Sequence, residues 1–364
     1  MRKSACFLYV SLMLICHVTF SQNAAILDSN IKKSSNTSLF ADHSVLQISL
    51  RGNLRNLLND RDENPSYHSI QIAYKGLDGK EIAMSVKAKT RGHFRKLKEN
   101  CNYPPLYLNF EKNDTLKKSI FKSQDKYKLV MPCRGDEYVV REWLVYQLYH
   151  IITAKSFEAK LVKISLEDSK SKKKLEPFYG ILLEDDKIMA KRNGFISLER
   201  KLRPEQTASS SFLTMAVFQY LIGNTDWSIQ YLQNIKLIMR DSTSIAHPVA
   251  YDFDHSGMVD APYARPAEEL LMSSVLQRRY RGYCITDMKK IQPTLDLFNS
   301  KKSEIYQLYQ DCTLIDGKYK KLILKYIDEF YETINNPVSW QKNFSYPCDK
   351  TGTGNIVIKG LREN

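Results

Sequence analysis

At 364 residues and 43% hydrophobic content, the chain is long enough for one large domain or two small ones and too apolar to be disordered. Lys and Arg number 54 against 40 Asp and Glu, a formal charge of +14, which draws a protein towards nucleotides, acidic glycans or anionic head groups. No basic helix with interleaved aromatic residues stands out, so nucleic acid is not expected as a partner.

Arg2 and Lys3 precede an apolar stretch from Ala5 to Phe20, and the small residue Ser21 follows. That is the layout of a cleavable secretory signal over residues 1–21, and the stretch is short for a spanning helix. The expectation is a secreted or periplasmic protein, of bacterial origin, with no transmembrane segment after cleavage. Cys6 and Cys16 leave with the signal; Cys101, Cys133, Cys284, Cys312 and Cys348 remain. Their spacings are too wide for a zinc site, and one or two disulfides are expected in an oxidising compartment.

Residues 22–44 are polar around Lys32-Lys33-Ser34-Ser35-Asn36 and read as a flexible leader. Val45–Leu50 and Ser69–Tyr74 alternate as strands do, and Asp78-Gly79 marks the turn into a further strand, Glu81–Ala88. Lys126–Met131 reads as a strand. Asp136–Thr153 reads as a helix with Asp136 as cap and an apolar stripe through Val140, Trp143, Leu144, Leu148 and Ile151. Two strands follow, Ala159–Leu166 and Phe178–Glu184, with Lys170–Lys174 as a solvated tip between them. From Glu205 the pattern turns helical, with a buried helix stopping at Gly223. After one inserted hairpin, helices are expected at Lys289–Ser300, Ser303–Gln310 and Tyr319–Ile334. Strands first and helices later make an α+β chain of two lobes.

The richest segment is Gly223-Asn224-Thr225-Asp226-Trp227, then Gln233-Asn234 and a strand Ile235–Met239, then a return strand from about Ala246 to Phe253 ending in Tyr251-Asp252-Phe253-Asp254. Counted from the turn, Asn234 falls opposite Tyr251. Strand alternation would put Asp252 and Asp254 on one face. Two carboxylates and an amide oxygen are hard ligands, suited to Mg2+ or Mn2+ carrying a phosphate chain, and Asp226 is placed to orient or deprotonate an attacking hydroxyl. This order is the one phosphoryl transfer by kinases uses. The apolar strand followed by Asp252-x-Asp254-x-Ser256 also fits the nucleophile motif of haloacid-dehalogenase-type phosphatases, but that motif opens a long α/β domain, whereas about 110 residues follow here and their periodicity is helical. Three features read as bland: His255 as a turn residue, Ser209–Ser211 as a helix start, and Arg278-Arg279-Tyr280-Arg281 as a solvated face.

With these residues in view, the chain resembles the CotH family of exported atypical protein kinases and, more distantly, HipA-type kinases. The likeness lies in Thr90–Arg95, in Lys126–Val130 with Asp136–Arg141, in Tyr179–Glu184, and in Gly223–Asp226 with Tyr251–Asp254. His93-Phe94 stands where the family has Asn-Ser, and Tyr251 where it has Trp. The resemblance implies a two-lobed atypical protein-kinase-like fold over 45–350, with a strand-rich N-terminal lobe at about 45–184, a mostly helical C-terminal lobe at about 185–350, and a tail at 351–364. It implies ATP and Mg2+ or Mn2+ as cofactors, and a protein or other hydroxyl-bearing extracytoplasmic acceptor. By position, Asp226 is the catalytic aspartate and Asn234 a metal ligand, joined by Asp252 or Asp254. Lys128 paired with Glu142 is the expected phosphate-holding pair, with Lys126 as rival and Lys87 and Lys89 behind it; Arg91 would touch phosphate, and Glu184 would lead into the nucleotide-binding hinge. The same fold without chemistry, a secreted binding module, is the other expectation.

Overall fold

The computed structural model describes residues 38–171 and 175–346. The expected signal peptide, most of the leader, the tip of the Lys170–Lys174 run and the C-terminal tail lie outside the described residues.

The N-terminal half is a closed barrel. Its strands are β1 (Leu46–Gly52), β2 (His68–Lys75), β3 (Glu81–Thr90), β4 (Leu106–Phe110), β5 (Lys126–Val130), β6 (Ala159–Asp168) and β7 (Phe178–Leu183). They are ordered β1-β2-β3-β4-β5-β7-β6. Neighbours are antiparallel except at the seam, where β1 and β6 run parallel with Leu46 opposite Val162. Alternation explains the interior: Ile48, Leu50, Ile70, Ile72, Val86, Ala88, Leu106, Leu108 and Leu129 point inward and form one apolar cluster. The expected β2–β3 hairpin is present, turned at Gly79 with φ +77°.

Short helices α1 (Leu54–Asn59) and α2 (Asp114–Lys118) decorate the barrel, and α3 (Asp136–Ile152) lies across it. On β6 and β7 both faces are covered: Val162, Ile164 and Leu182 face the barrel interior, while Leu161, Ile181 and Leu183 join the cluster of α3. That double burial explains the unbroken apolar run Ile181–Leu183. Gly180 is required there, since a Cβ would sit 2.4 Å from Ile164 and 2.9 Å from the Val130 carbonyl. The expected stripe on α3 is corrected: Val139 to Tyr149 is buried almost all round, because the helix is clasped between the barrel and the helical half. Its cap is Gly135, and Asp136 instead accepts from the Tyr179 N–H at 3.0 Å and from Lys163 at 3.3 Å.

The second half holds α4 (Asp186–Arg192), β8 (Ile196–Leu198), α5 (Ser209–Ile222), β9 (Ile235–Met239), β10 (His247–Ala250), α6 (Gln292–Ser300), α7 (Lys302–Asp311), α8 (Gly317–Asn335) and α9 (Pro337–Phe344). β8, β9 and β10 form a small antiparallel sheet, and α5 to α9 share one core with α3. Residues 251–287 are mostly irregular. The protein is thus a mixed α+β chain with a strand-rich N-terminal and a helical C-terminal region. Among the described residues no helix is long and apolar enough to cross a membrane. Cys101 and Cys133 form a disulfide, Cys284 is also disulfide-bonded, and Cys312 is free.

Candidate active site at the mouth of the β9–β10 hairpin

α5 ends on Gly223, whose left-handed φ of +66° turns the chain into the loop that carries Asp226. The Asp226 N–H donates to Asn224 Oδ1 at 3.0 Å. Its carboxylate accepts from Gln233 Nε2 and from Asn234 Nδ2 at 2.9 Å, and Asn234 Nδ2 also reaches the Asp226 carbonyl at 2.7 Å. Arg281 spans the loop from beneath, donating to the carbonyls of Thr225 and Trp227 on either side of Asp226. Burial pushes the Asp226 carboxyl above the usual range, with His255 opposing and Asp254 adding to the shift.

The hairpin register is as expected: Ile235 pairs with Ala250, and the Tyr251 N–H donates to the Asn234 carbonyl at 3.1 Å. The strand then stops. Asp252 is left-handed at φ +63°, its N–H held by the Tyr146 hydroxyl at 2.9 Å, and Asn234, opposite Tyr251, is left-handed at φ +51°. Phe253 dives into the core against Tyr146 and Phe218. The alternation argument for Asp252 and Asp254 is therefore corrected: they meet across a turn, not along a strand face, close enough for each to shift the other's titration.

Arg95, to which the sequence assigned no role, sits at the centre. Carried on the turn Phe94–Lys96 and buried, it lies 3.5 Å from both Glu142 and Asp254 and donates to the Met131 carbonyl at 2.7 Å. Tyr263 donates to Asp254 at 3.0 Å. Burial works against the Asp254 charge, yet His255, Arg95 and Tyr263 hold its carboxyl below the usual range. Burial first, then Asp254, pushes Asp252 up; burial first, with Asp254 and Asp252 adding, pushes Glu142 up.

The expected Lys128–Glu142 pair is not formed, because Arg95 takes Glu142. Lys128 faces the hairpin instead, with its ammonium 5.0 Å above the Tyr251 ring. Burial, then Arg91 and Lys236, lowers it to about 8. Arg91, at the barrel rim, is close enough to bias both Lys128 and Asp252. Lys126 and Lys87 are exposed, and Lys89 lies over Tyr67, 4.9 Å from its ring. Glu184 is held away from any ligand role: both carboxylate oxygens are taken, by Arg192 at 3.0 and 2.9 Å and by the Glu158 N–H at 3.0 Å.

Asp226, Asn234, Asp252 and Asp254 are thus brought together, Glu142 joins them through Arg95, and Lys128 and Arg91 border them. Among the described residues no three His, Cys, Asp or Glu side chains are arranged to hold a metal ion. The donor set fits a divalent cation in another way, as two carboxylates and an amide oxygen. Buried orphaned atoms surround the acidic pair: Glu142 Oε1, Arg95 Nε and His255 Nδ1 have no hydrogen-bond partner. Arg95 is the guanidinium in contact with Glu142 and Asp254, and burial still pushes Glu142 and Asp252 up, so added positive charge would be welcomed. Against the phosphatase alternative, β8, β9 and β10 pair antiparallel throughout, and the parallel pairing near β10 among the described residues is the isolated Thr207–Ala246 bridge.

No family model matches the chain, and no curated protein matches it. The CotH resemblance therefore rests on its short motifs alone. Among solved structures the chain is similar to the Helicobacter pylori proinflammatory kinase CtkA, at 12% identity and a TM-score of 0.38, over 67% of this chain and 90% of that one. That overlap is too low to establish a common fold.

Proposed function

We propose that the protein is an exported, metal-dependent kinase of CotH type, transferring the terminal phosphoryl group of ATP to a hydroxyl on an extracytoplasmic protein or other acceptor. One observation carries this reading. Asn234 and Asp252, neither of them glycine, both adopt left-handed backbone at the mouth of one hairpin, where Asn234 faces Tyr251 beside Asp252, and Asn234 grips the carboxylate of Asp226. Each such residue costs roughly 1 kcal/mol or more and persists where its surroundings over-determine it, as at catalytic sites.

In this reading Asp252, Asp254 and the Asn234 amide oxygen hold Mg2+ or Mn2+, and Arg91 and Lys128 hold the phosphate chain. A divalent ion supplies charge neutralisation on phosphate oxygens. Asp226, oriented by Gln233 and Asn234, directs the acceptor hydroxyl and receives its proton. Arg95 keeps Asp254 ionised and in place as it shares the metal with Asp252. A second reading, a binding module without chemistry, draws on the same arginine: Arg95 already occupies Glu142, and among the described residues no lysine is paired with it.

Calorimetric titration of ATP into the purified chain, with Mg2+, with Mn2+ and with neither, tests the proposal. Wild type is expected to bind only with metal. Asp252→Ala/Asp254→Ala should lose binding, and Asp226→Ala should keep it while losing phosphoryl transfer. Failure to bind nucleotide with any metal would overturn the kinase reading and leave the binding module.

A further inference from the structure

The surface along α8, beneath the segment 271–279, is unused by the chemistry described above. Lys318, Lys321 and Lys325 are exposed on one face of the helix, with Leu322 between them at 41% exposure. None of the three lysines is ion-paired among the described residues, and the nearby carboxylate Glu329 is taken by Arg278 at 3.6 Å. The facing segment presents Leu276 at 39% and Leu271 at 93% exposure, and Leu271 is held left-handed at φ +52°. A bulky residue in that conformation is strained. The strain here displays an apolar side chain to solvent.

Between helix and segment run two contiguous open spaces of about 520 and 620 Å³ that share Leu276 and Glu329. One wall is tied down by Arg278. Arg278 stacks 3.5 Å over the Tyr326 ring and donates to the carbonyls of Leu221 and Tyr326. The same segment underlies the Asp226 loop: a Cβ on Gly223 would lie 3.1 Å, and one on Gly257 2.5 Å, from the Val275 carbonyl. Lys318 to Glu329 spans about 16 Å of helix, the length of about five residues of extended chain.

We propose that this groove docks an acidic, leucine-bearing extended segment of the acceptor protein, carboxylates meeting Lys318, Lys321 and Lys325 and apolar side chains meeting Leu271, Leu276 and Leu322. Charge complementarity selects an anionic occupant, and lysines interleaved with leucine along about 16 Å of helix suit a short stretch of extended chain. The proposal names the acceptor for the kinase reading and so rests on it, but the groove can be tested without catalysis.

The probe is a fluorescein-labelled peptide of Glu and Leu residues, read by anisotropy against the full chain, with a Lys-Leu peptide as control. The acidic peptide should bind and the basic one should not, and binding should fall as salt rises. Lys318→Glu/Lys321→Glu/Lys325→Glu should weaken binding more than tenfold and Leu271→Ser several-fold, both with unchanged melting temperature and unchanged ATP titration. Equal binding by the triple variant overturns the proposal. So does binding of phosphatidylglycerol vesicles with the same variant dependence if the acidic peptide fails to displace them. ATP binding without peptide binding overturns the groove alone. Peptide binding without ATP binding supports the groove and sinks the kinase reading.

Discussion

Lys128 illustrates how a residue proposed to hold phosphate weakens the fold that carries it. Its ammonium is half-buried beside Arg91 and Lys236, and its pKa is lowered from 10.5 to about 8. The native state thus gives up this proton before the unfolded chain does. Between pH 8 and 10.5 the unfolded chain binds more protons, so this residue makes stability rise with pH through that window; below pH 8 its penalty is constant. Lys128→Met should therefore stabilise the protein by about 1–3 kcal/mol at pH 7, less at pH 9.5, while weakening ATP binding. Urea melts at the two pH values check the sign, and a variant no more stable than wild type at pH 7 would show that the charge is already satisfied. Residues of this kind were only partly legible in the sequence. Asp226, Asn234, Asp252 and Asp254 could be read because they lie within about thirty residues of each other and a hairpin register can be counted from its turn. Arg95 could not. It reaches Asp254 across 159 positions, and nothing local distinguishes it from Arg91, which was named instead.

At the scale of elements, the junction of α5 with the Asp226 loop is where backbone chemistry and packing coincide. Gly223 as a helix stop was readable from its position after a buried apolar run. Its second duty was not, because that depends on α8, about a hundred residues later. A Cβ at Gly223 would lie 2.2 Å from the Tyr326 hydroxyl and 3.1 Å from the Val275 carbonyl, on a backbone at φ +66°. Gly223→Ala should cost about 2–4 kcal/mol from left-handed strain and overpacking together. Gly317, which opens α8 with nothing within 4 Å, is the control: Gly317→Ala should change stability by less than about 0.5 kcal/mol. Denaturant midpoints of the two variants decide, and equal effects would mean that the contact beneath Gly223 yields without strain. The other elements follow the same division. Hairpins such as β2–β3 and β9–β10 were legible from alternation and turn residues. β4, β8, α1 and α4 were missed because they are short, and α3 was misread as amphipathic because burial on all sides erases the stripe that periodicity needs.

Across the whole molecule the barrel is what the sequence hid. Its closure depends on β1 pairing parallel with β6 more than a hundred residues away, and no local pattern encodes a seam of that range. The expected division near residue 184 is also crossed by packing, since α3 belongs to the core of the helical half although it lies between barrel strands in the chain. The site therefore sits where two cores meet, and its parts must be fastened across that line. One fastening is the Cys101–Cys133 disulfide. It ties the segment after Arg95 to the turn that carries Met131 and opens α3, on which Glu142 lies. The Asn102 N–H adds a hydrogen bond to the Cys133 carbonyl at 3.2 Å, and Arg61 holds the carbonyls of Cys101 and Asn102 at 2.9 and 2.7 Å. Both cysteines are buried. Closing a loop of 32 residues stabilises by about 2–4 kcal/mol, so Cys101→Ser/Cys133→Ser should lose that much in urea yet still fold, since the flanking hydrogen bonds remain. The larger consequence falls on Arg95. With its segment loosened, the guanidinium no longer holds Asp254 and Glu142 in register, and metal-dependent ATP affinity should drop roughly three- to tenfold, about 1 kcal/mol. A double variant that loses stability but binds ATP as tightly as wild type would show that Arg95 is positioned by Met131 and the acidic cluster themselves, and that the disulfide serves the barrel alone.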